Sequence, residues 1–118
     1  MADNDAPAQF PQAAADALRA FNHATLSKRD GWEQPGDAYT TIGSLTELAA
    51  RLPQAIGQTH RLVRDLEESG HLRSDKGTLD QDLAYAYDGL REARDLAERL
   101  GAALSRAHSG LGPIGHQD

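Results

Sequence analysis

Cysteine is absent from the 118 residues of the chain. This excludes a disulfide framework, a thiolate nucleophile and a cysteine-ligated zinc. β-Branched aliphatic residues are scarce, with three Ile and one Val, and aromatic residues make up only 5% of the chain. That scarcity argues against a β-sandwich or a barrel. Alanine and leucine are abundant instead, at 20 and 15 residues, and both favour helix. The chain is therefore predicted to be one all-α domain.

Long apolar runs and an excess of positive charge are also missing. No stretch is apolar for long enough to span a bilayer, so no membrane contact is expected. The formal net charge is −6, which makes the chain a poor candidate for nucleic acid or for an anionic membrane surface. The first residues, MADND, lack the basic start and apolar core of a signal peptide. We therefore expect a cytoplasmic protein.

The apolar spacing predicts three helices, over about residues 11–27, 38–69 and 79–109. Residues 1–10 are polar and are predicted to be a disordered lead, residues 11–110 the domain, and residues 111–118 a flexible tail. Asp37 is a candidate N-cap of the second helix, and Ser69-Gly70 is typical of its end. Pro53 lies inside that helix and predicts a kink. Thr78 and Gln81 have the spacing of a capping box at the start of the third helix.

The two long helices are joined by a short turn, so they are predicted to run antiparallel as a hairpin. Their apolar stripes are wider than one seam requires. In the second helix the stripe contains Leu45, Leu48, Leu52, Ala55, Thr59, Leu62 and Leu66, at alternating spacings of three and four. The short first helix can fold back over this surplus, or two hairpins can pair with two-fold symmetry. We expect both, and hence a dimeric helical bundle, with a heterologous protein partner as a further option.

Motifs that carry chemistry are not found. The five histidines, His23, His60, His71, His108 and His116, include no H-E-x-x-H pair, and the stretch DKGTLDQD lacks the acidic ligands of an EF-hand loop. No serine lies in G-x-S-x-G, and no glycine run matches a phosphate loop. The sequence thus predicts no catalytic residue, no metal site and no cofactor, and the protein is predicted not to be an enzyme.

Aromatic residues are the first candidates for partner binding. Trp32 and Tyr39 flank a connector, where an aromatic side chain serves either as a binding anchor or as a lid over the end of a bundle. Tyr85 and Tyr87 are two residues apart on a helix, so they cannot both face the hairpin seam. One of them is expected to be exposed or to lie in an oligomer contact. The four residues together form the predicted partner-binding set.

A second hypothesis rests on the basic residues Arg61, Arg64, Arg73 and Lys76, which together would contact an anion or a nucleic acid. The alternative for the first two is ordinary salt pairing, Arg61 with Asp65 and Arg64 with Glu68. On the second hypothesis the protein is a small accessory or regulatory factor of a mobile DNA element.

Two segments carry a family resemblance. Trp32–Tyr39, with the sequence WEQPGDAY, and Leu52–Gln54, with the sequence LPQ, precede a last helix rich in Ala, Leu and Arg. Over roughly residues 18–110 the chain resembles small uncharacterised helical proteins of Streptomyces and related actinobacteria. That resemblance implies the helical fold and an association with mobile elements. The WXG100 secreted hairpins are similar in length and charge, but their W-x-G turn and trailing Y-x-x-x-D/E signal are missing here, and that family is not assigned.

The sequence therefore predicts a non-enzymatic interaction or adaptor protein. It would act through homo-oligomerisation and through a helical face that it presents to a partner.

Overall fold

A computed structural model describes residues 6–117, and this range contains three α-helices. They are α1 (Gln9–Ala24), α2 (Pro35–Glu68) and α3 (Leu79–Leu111). The predicted all-helical class is confirmed, and α2 and α3 pack against each other as the expected hairpin. α1 begins two residues before the predicted start at residue 11 and ends three residues before the predicted end at residue 27. The predicted disordered lead lies partly outside the described residues, which do not include residues 1–5 or residue 118.

The start of α2 differs from the prediction in a way that its first residues explain. Pro35 is the first helical residue, where its missing N–H costs nothing. Asp37 is therefore not the N-cap but lies one turn inside, and its Oδ2 accepts the backbone N–H groups of Glu33 and Gln34, each at 3.0 Å. These bonds favour the ionised carboxylate and lower the pKa of Asp37 below its ordinary value of 3.8. α2 then continues through Pro53 as one helix, and the bend of its axis there stays a prediction.

The turn between α2 and α3 is closed by polar contacts. Gly70 follows the helix end with a φ of 75°, the left-handed conformation predicted for it. Thr78 is the N-cap of α3, but its hydroxyl donates to Asp82 Oδ2 at 3.1 Å instead of capping the backbone. Asp82 also accepts the Ser74 hydroxyl and pairs with Lys76 Nζ at 3.5 Å. The Ser74 hydrogen bond is the main cause that lowers the pKa of Asp82.

The hairpin seam is narrow because small residues meet at its centre. Ala49 of α2 is 1% exposed, and Gly101 of α3 lies directly opposite it. Near the open end of the hairpin, the His108 ring of α3 stacks on Tyr39 with the centroids 4.0 Å apart. His108 also fills the space above Gly43, where a Cβ would come within 2.9 Å of its Nε2. Residues with large side chains are thus accommodated by glycine or alanine on the other helix.

α1 is held much more loosely than the two long helices. No Cα atom of α1 comes within 8 Å of a Cα atom of α2 or α3. Leu18 and Phe21 of α1 are half-buried, and the Phe21 ring meets Trp32 edge to face at a centroid distance of 5.3 Å. An open apolar groove of about 330 Å³ lies between α1 and α2. α1 therefore covers part of the hairpin without closing onto it.

Candidate interaction surface

Two apolar rows run along α3, and only one of them faces α2. The inner row, Leu83, Tyr87, Leu90, Ala97, Gly101, Leu104 and His108, is buried or half-buried in the hairpin. The outer row consists of Ala86, Gly89, Ala93, Leu96, Leu100, Ala103 and Ala107. Its spacings are three and four without interruption, as in a coiled-coil seam. All of its members are exposed except Ala93, which is half-buried. Leu96 and Leu100 at its centre are 46% and 48% exposed.

The apolar stripe of α2 is divided by α1. The groove beneath α1 is lined on the α2 side by Thr40, Thr41, Ser44, Leu45 and Leu48, which all lie in the first half of the helix. Beyond it, Ala55, Thr59, Leu62 and Leu66 are exposed, Leu62 to 57%. The first helix thus lies over part of the hairpin. This is one of the two ways in which the sequence predicts that the surplus apolar surface is covered. Of the seven residues of the stripe, only Leu45 and Leu48 line the groove under α1.

The exposed parts of α2 and α3 lie on the same side of the hairpin. Each exposed leucine comes one residue before a residue of the seam: Leu62 before Val63, Leu66 before Glu67, Leu96 before Ala97 and Leu100 before Gly101. On two right-handed, antiparallel helices, positions one residue before the seam turn to the same side. Leu48, which precedes Ala49, lies under α1, so α1 is on this side too. We call the outer row of α3 together with Ala55, Thr59, Leu62 and Leu66 the open face.

Charged residues of both signs border the outer row. Glu92 and Arg99 lie beside Leu96 on the solvent side of α3. Within residues 6–117 neither of them forms an ion pair, whereas Arg91 pairs with Asp88 at 2.6 Å. Asp95 and Arg99 are four residues apart on the helix, but they form no ion pair in that range either. The border of the open face therefore offers an unpaired carboxylate and an unpaired guanidinium about two helical turns apart.

The four aromatic candidates have different surroundings. Tyr85 is 84% exposed and Tyr87 is 8% exposed, so one of the two faces solvent, as their spacing required. Tyr39 is stacked on His108, and 40% of its surface remains exposed. Trp32 is half-buried against Phe21 and covers the end of α1. None of the four belongs to the open face.

Tyr87 belongs to the core of the hairpin, which removes it from the partner-binding candidates. Its hydroxyl donates to Glu67 Oε1 at 2.7 Å, and that hydrogen bond is the main cause that raises the pKa of Tyr87 above 10.0. The ring of His60 stacks on it at 4.8 Å, and the Arg64 guanidinium lies 4.9 Å from its centroid. The Nε2 atom of His60 is buried there without a hydrogen-bond partner. The cluster joins the two helices near the turn.

The basic residues of the second hypothesis are mostly engaged by neighbours. Arg73 pairs with Asp75 at 3.0 Å, and Lys76 pairs with Asp82. Arg64 lies over Tyr87 instead of pairing with Glu68, and Arg61 does not pair with Asp65 within the described chain. Three of the four cations thus have partners of their own.

The outer row is the feature that the sequence pattern does not separate from the seam. Ala86, Ala93, Leu100 and Ala107 fall into one apolar stripe together with the seam residues when the helix is read as a single pattern. Gly89, Leu96 and Ala103 complete a second, unbroken three-four pattern. That second pattern is the signal by which the amino-acid sequence alone indicates the open face.

Two further kinds of site are absent from the described range. No three His, Asp or Glu side chains of residues 6–117 converge so that they could hold a metal ion. No helix in that range is both long and apolar enough to cross a membrane. Comparison of the chain with protein-family models, with curated proteins and with solved structures finds no match.

Proposed function

We propose that this protein is a non-enzymatic helical interaction protein that works as a homodimer through the open face. The observation that carries the proposal is the row of exposed residues on α3, with Leu96 and Leu100 at its centre. An apolar surface of this length on a small protein is typical of a contact with another protein. Burying two half-exposed leucines from each copy would contribute about 1 kcal/mol per side chain.

Light scattering after size exclusion tests the proposal. The wild-type chain is expected at twice its mass of 12.7 kDa. The double substitution Leu96→Glu with Leu100→Glu places charges in the middle of the outer row and is expected to give the single mass. A matched control, Ala84→Glu with Ala102→Glu, adds the same charge to exposed positions of α3 outside the outer row. It is expected to keep the double mass.

The substituted positions are exposed in the hairpin, so both variants are expected to fold. Circular dichroism checks that each of them does. A wild-type chain that stays at the single mass at every concentration would overturn the homodimer. The open face would then be assigned to a helix of another protein. Equal loss of the dimer in the leucine variant and in the alanine control would contradict the assignment of the contact to the outer row.

A further inference from the structure

The outer row of α3 has large residues at one end of its central segment and small residues at the other. From Ala86 to Ala93 its members are Ala, Gly and Ala, and from Leu96 to Ala103 they are Leu, Leu and Ala. Two copies of such a row fit together best when each leucine meets a small residue. This happens when the second helix runs in the opposite direction.

We propose that the dimer forms by antiparallel packing of the outer rows of two α3 helices. The two-fold axis passes between Ala93 and Leu96. This inference rests on the proposed function and gives the orientation of its contact. In this register Leu96 of one copy lies against Ala93 of the other, Leu100 against Gly89, and Ala103 against Ala86. Each pair occurs twice, because a two-fold contact is isologous.

The charges beside the row are complementary in this register. Glu92 comes before the two-fold axis along α3 and Arg99 comes after it. Their distances from the axis, measured along the helix, differ by about 3 Å. The long side chain of Arg99 can span this offset. Antiparallel packing therefore places Glu92 of one copy beside Arg99 of the other, twice per dimer. These are the two border residues that form no ion pair within residues 6–117. Charge complementarity of this kind fixes register and orientation more than it adds affinity.

The parallel arrangement of the same rows fits less well. It would put Leu96 on Leu96 and Leu100 on Leu100 in the middle, and Gly89 on Gly89 two turns away. Two helices that are held apart by leucine pairs cannot also close over a glycine pair, so a gap would remain. α1 leaves the outer row of α3 uncovered, since no Cα atom of α1 lies within 8 Å of a Cα atom of α3.

Cross-linking measures the orientation directly, since the chain has no cysteine of its own. Ala86→Cys and Ala103→Cys are prepared as separate variants at exposed positions. On antiparallel packing each variant alone gives no disulfide dimer, whereas an oxidised mixture of the two gives one. The two positions are about 26 Å apart along one helix, far beyond the reach of a disulfide. On parallel packing each variant cross-links with itself, and that result would overturn the proposal.

A charge exchange supplies the second readout. Glu92→Arg alone and Arg99→Glu alone are each expected to weaken self-association by roughly tenfold, because each loses two ion pairs per dimer and adds repulsion. The double variant Glu92→Arg with Arg99→Glu is expected to restore the wild-type dissociation constant. Failure of this rescue would also overturn the proposal.

The outcomes separate this proposal from the proposed function. A double mass in light scattering with no cross-link in the mixture would overturn the antiparallel register and leave the homodimer standing. A single mass for the wild-type chain would overturn both. The dimer with the mixed cross-link and the charge rescue would support both.

Discussion

The inner and outer rows of α3 lie on one helix and both follow three-four spacing, which the inner row breaks only at the exposed Arg94. Their surroundings are nevertheless opposite. The inner row includes Tyr87 and Leu83, which are both 8% exposed, and it is met by Ala49 and Gly43 of α2. The outer row has Leu96 and Leu100 at its centre, which remain about half exposed. Three-four periodicity therefore shows how many apolar faces a helix has. Whether a face is buried depends on whether another element supplies a complementary surface.

The comparison predicts that the inner row carries the stability of the monomer. Tyr87→Ala removes a buried ring that His60 and Arg64 pack against, and it is expected to lower the free energy of unfolding by about 3 kcal/mol. Tyr85→Ala, two residues away and exposed, is expected to change it by less than about 0.5 kcal/mol. Urea unfolding followed by circular dichroism measures both.

Tyr87→Phe separates packing from the hydrogen bond to Glu67. It keeps the ring and is expected to cost only about 1 kcal/mol. A loss for Tyr87→Phe as large as that for Tyr87→Ala would show that the hydroxyl, and not the ring, holds this end of the hairpin.

α1 is intermediate between the buried inner row and the exposed outer row. Its apolar residues face α2 across a groove, but the two helices do not pack closely. Phe21→Ala removes the edge contact with Trp32 and part of the groove wall. It is expected to destabilise the docked position of α1 by about 1 kcal/mol. Amide hydrogen exchange should show a several-fold loss of protection in α1 with α2 and α3 unchanged. Equal loss in all three helices would mean that α1 is part of the same cooperative unit as the hairpin.

Glycines in the two rows give a finer comparison. A Cβ at Gly101 meets only Ala49 Cβ at 4.0 Å, and a Cβ at Gly89 meets nothing within 4 Å. Gly101→Ala and Gly89→Ala are both expected to stabilise the monomer by about 0.5 to 1 kcal/mol, through helix propensity. Only Gly89→Ala should weaken self-association, because in the antiparallel dimer Leu100 of the other copy needs that space. Equal dissociation constants for the two variants would contradict the proposed register.

Local signals in the sequence predict most of the fold. The alternating apolar spacing predicts the three helices, and Ser69-Gly70 predicts the end of α2. The predicted start of α2 is three residues late, because Asp37 fits an N-cap while Pro35 already fits the first helical position. Both the Tyr39–His108 stack and the His60–Tyr87 stack depend on the register between α2 and α3. No local pattern encodes that register, so these contacts could not be predicted.

The turn that sets this register supplies the smallest predicted effect, a dependence of stability on pH. The pKa of Asp82 is lowered in the folded chain, chiefly by the Ser74 hydroxyl. Below the ordinary pKa of 3.8 the unfolded chain therefore binds more protons than the folded one. The stabilisation is present above that value and is lost as the pH falls through the folded pKa.

Asp82→Asn should reduce the difference between urea midpoints measured at about pH 7 and about pH 3. Ser74→Ala keeps the Asp82 carboxylate but removes its main hydrogen-bond donor, so it should reduce the same difference. No change of the difference in Ser74→Ala would show that the effect does not come from the polar contacts that close the turn.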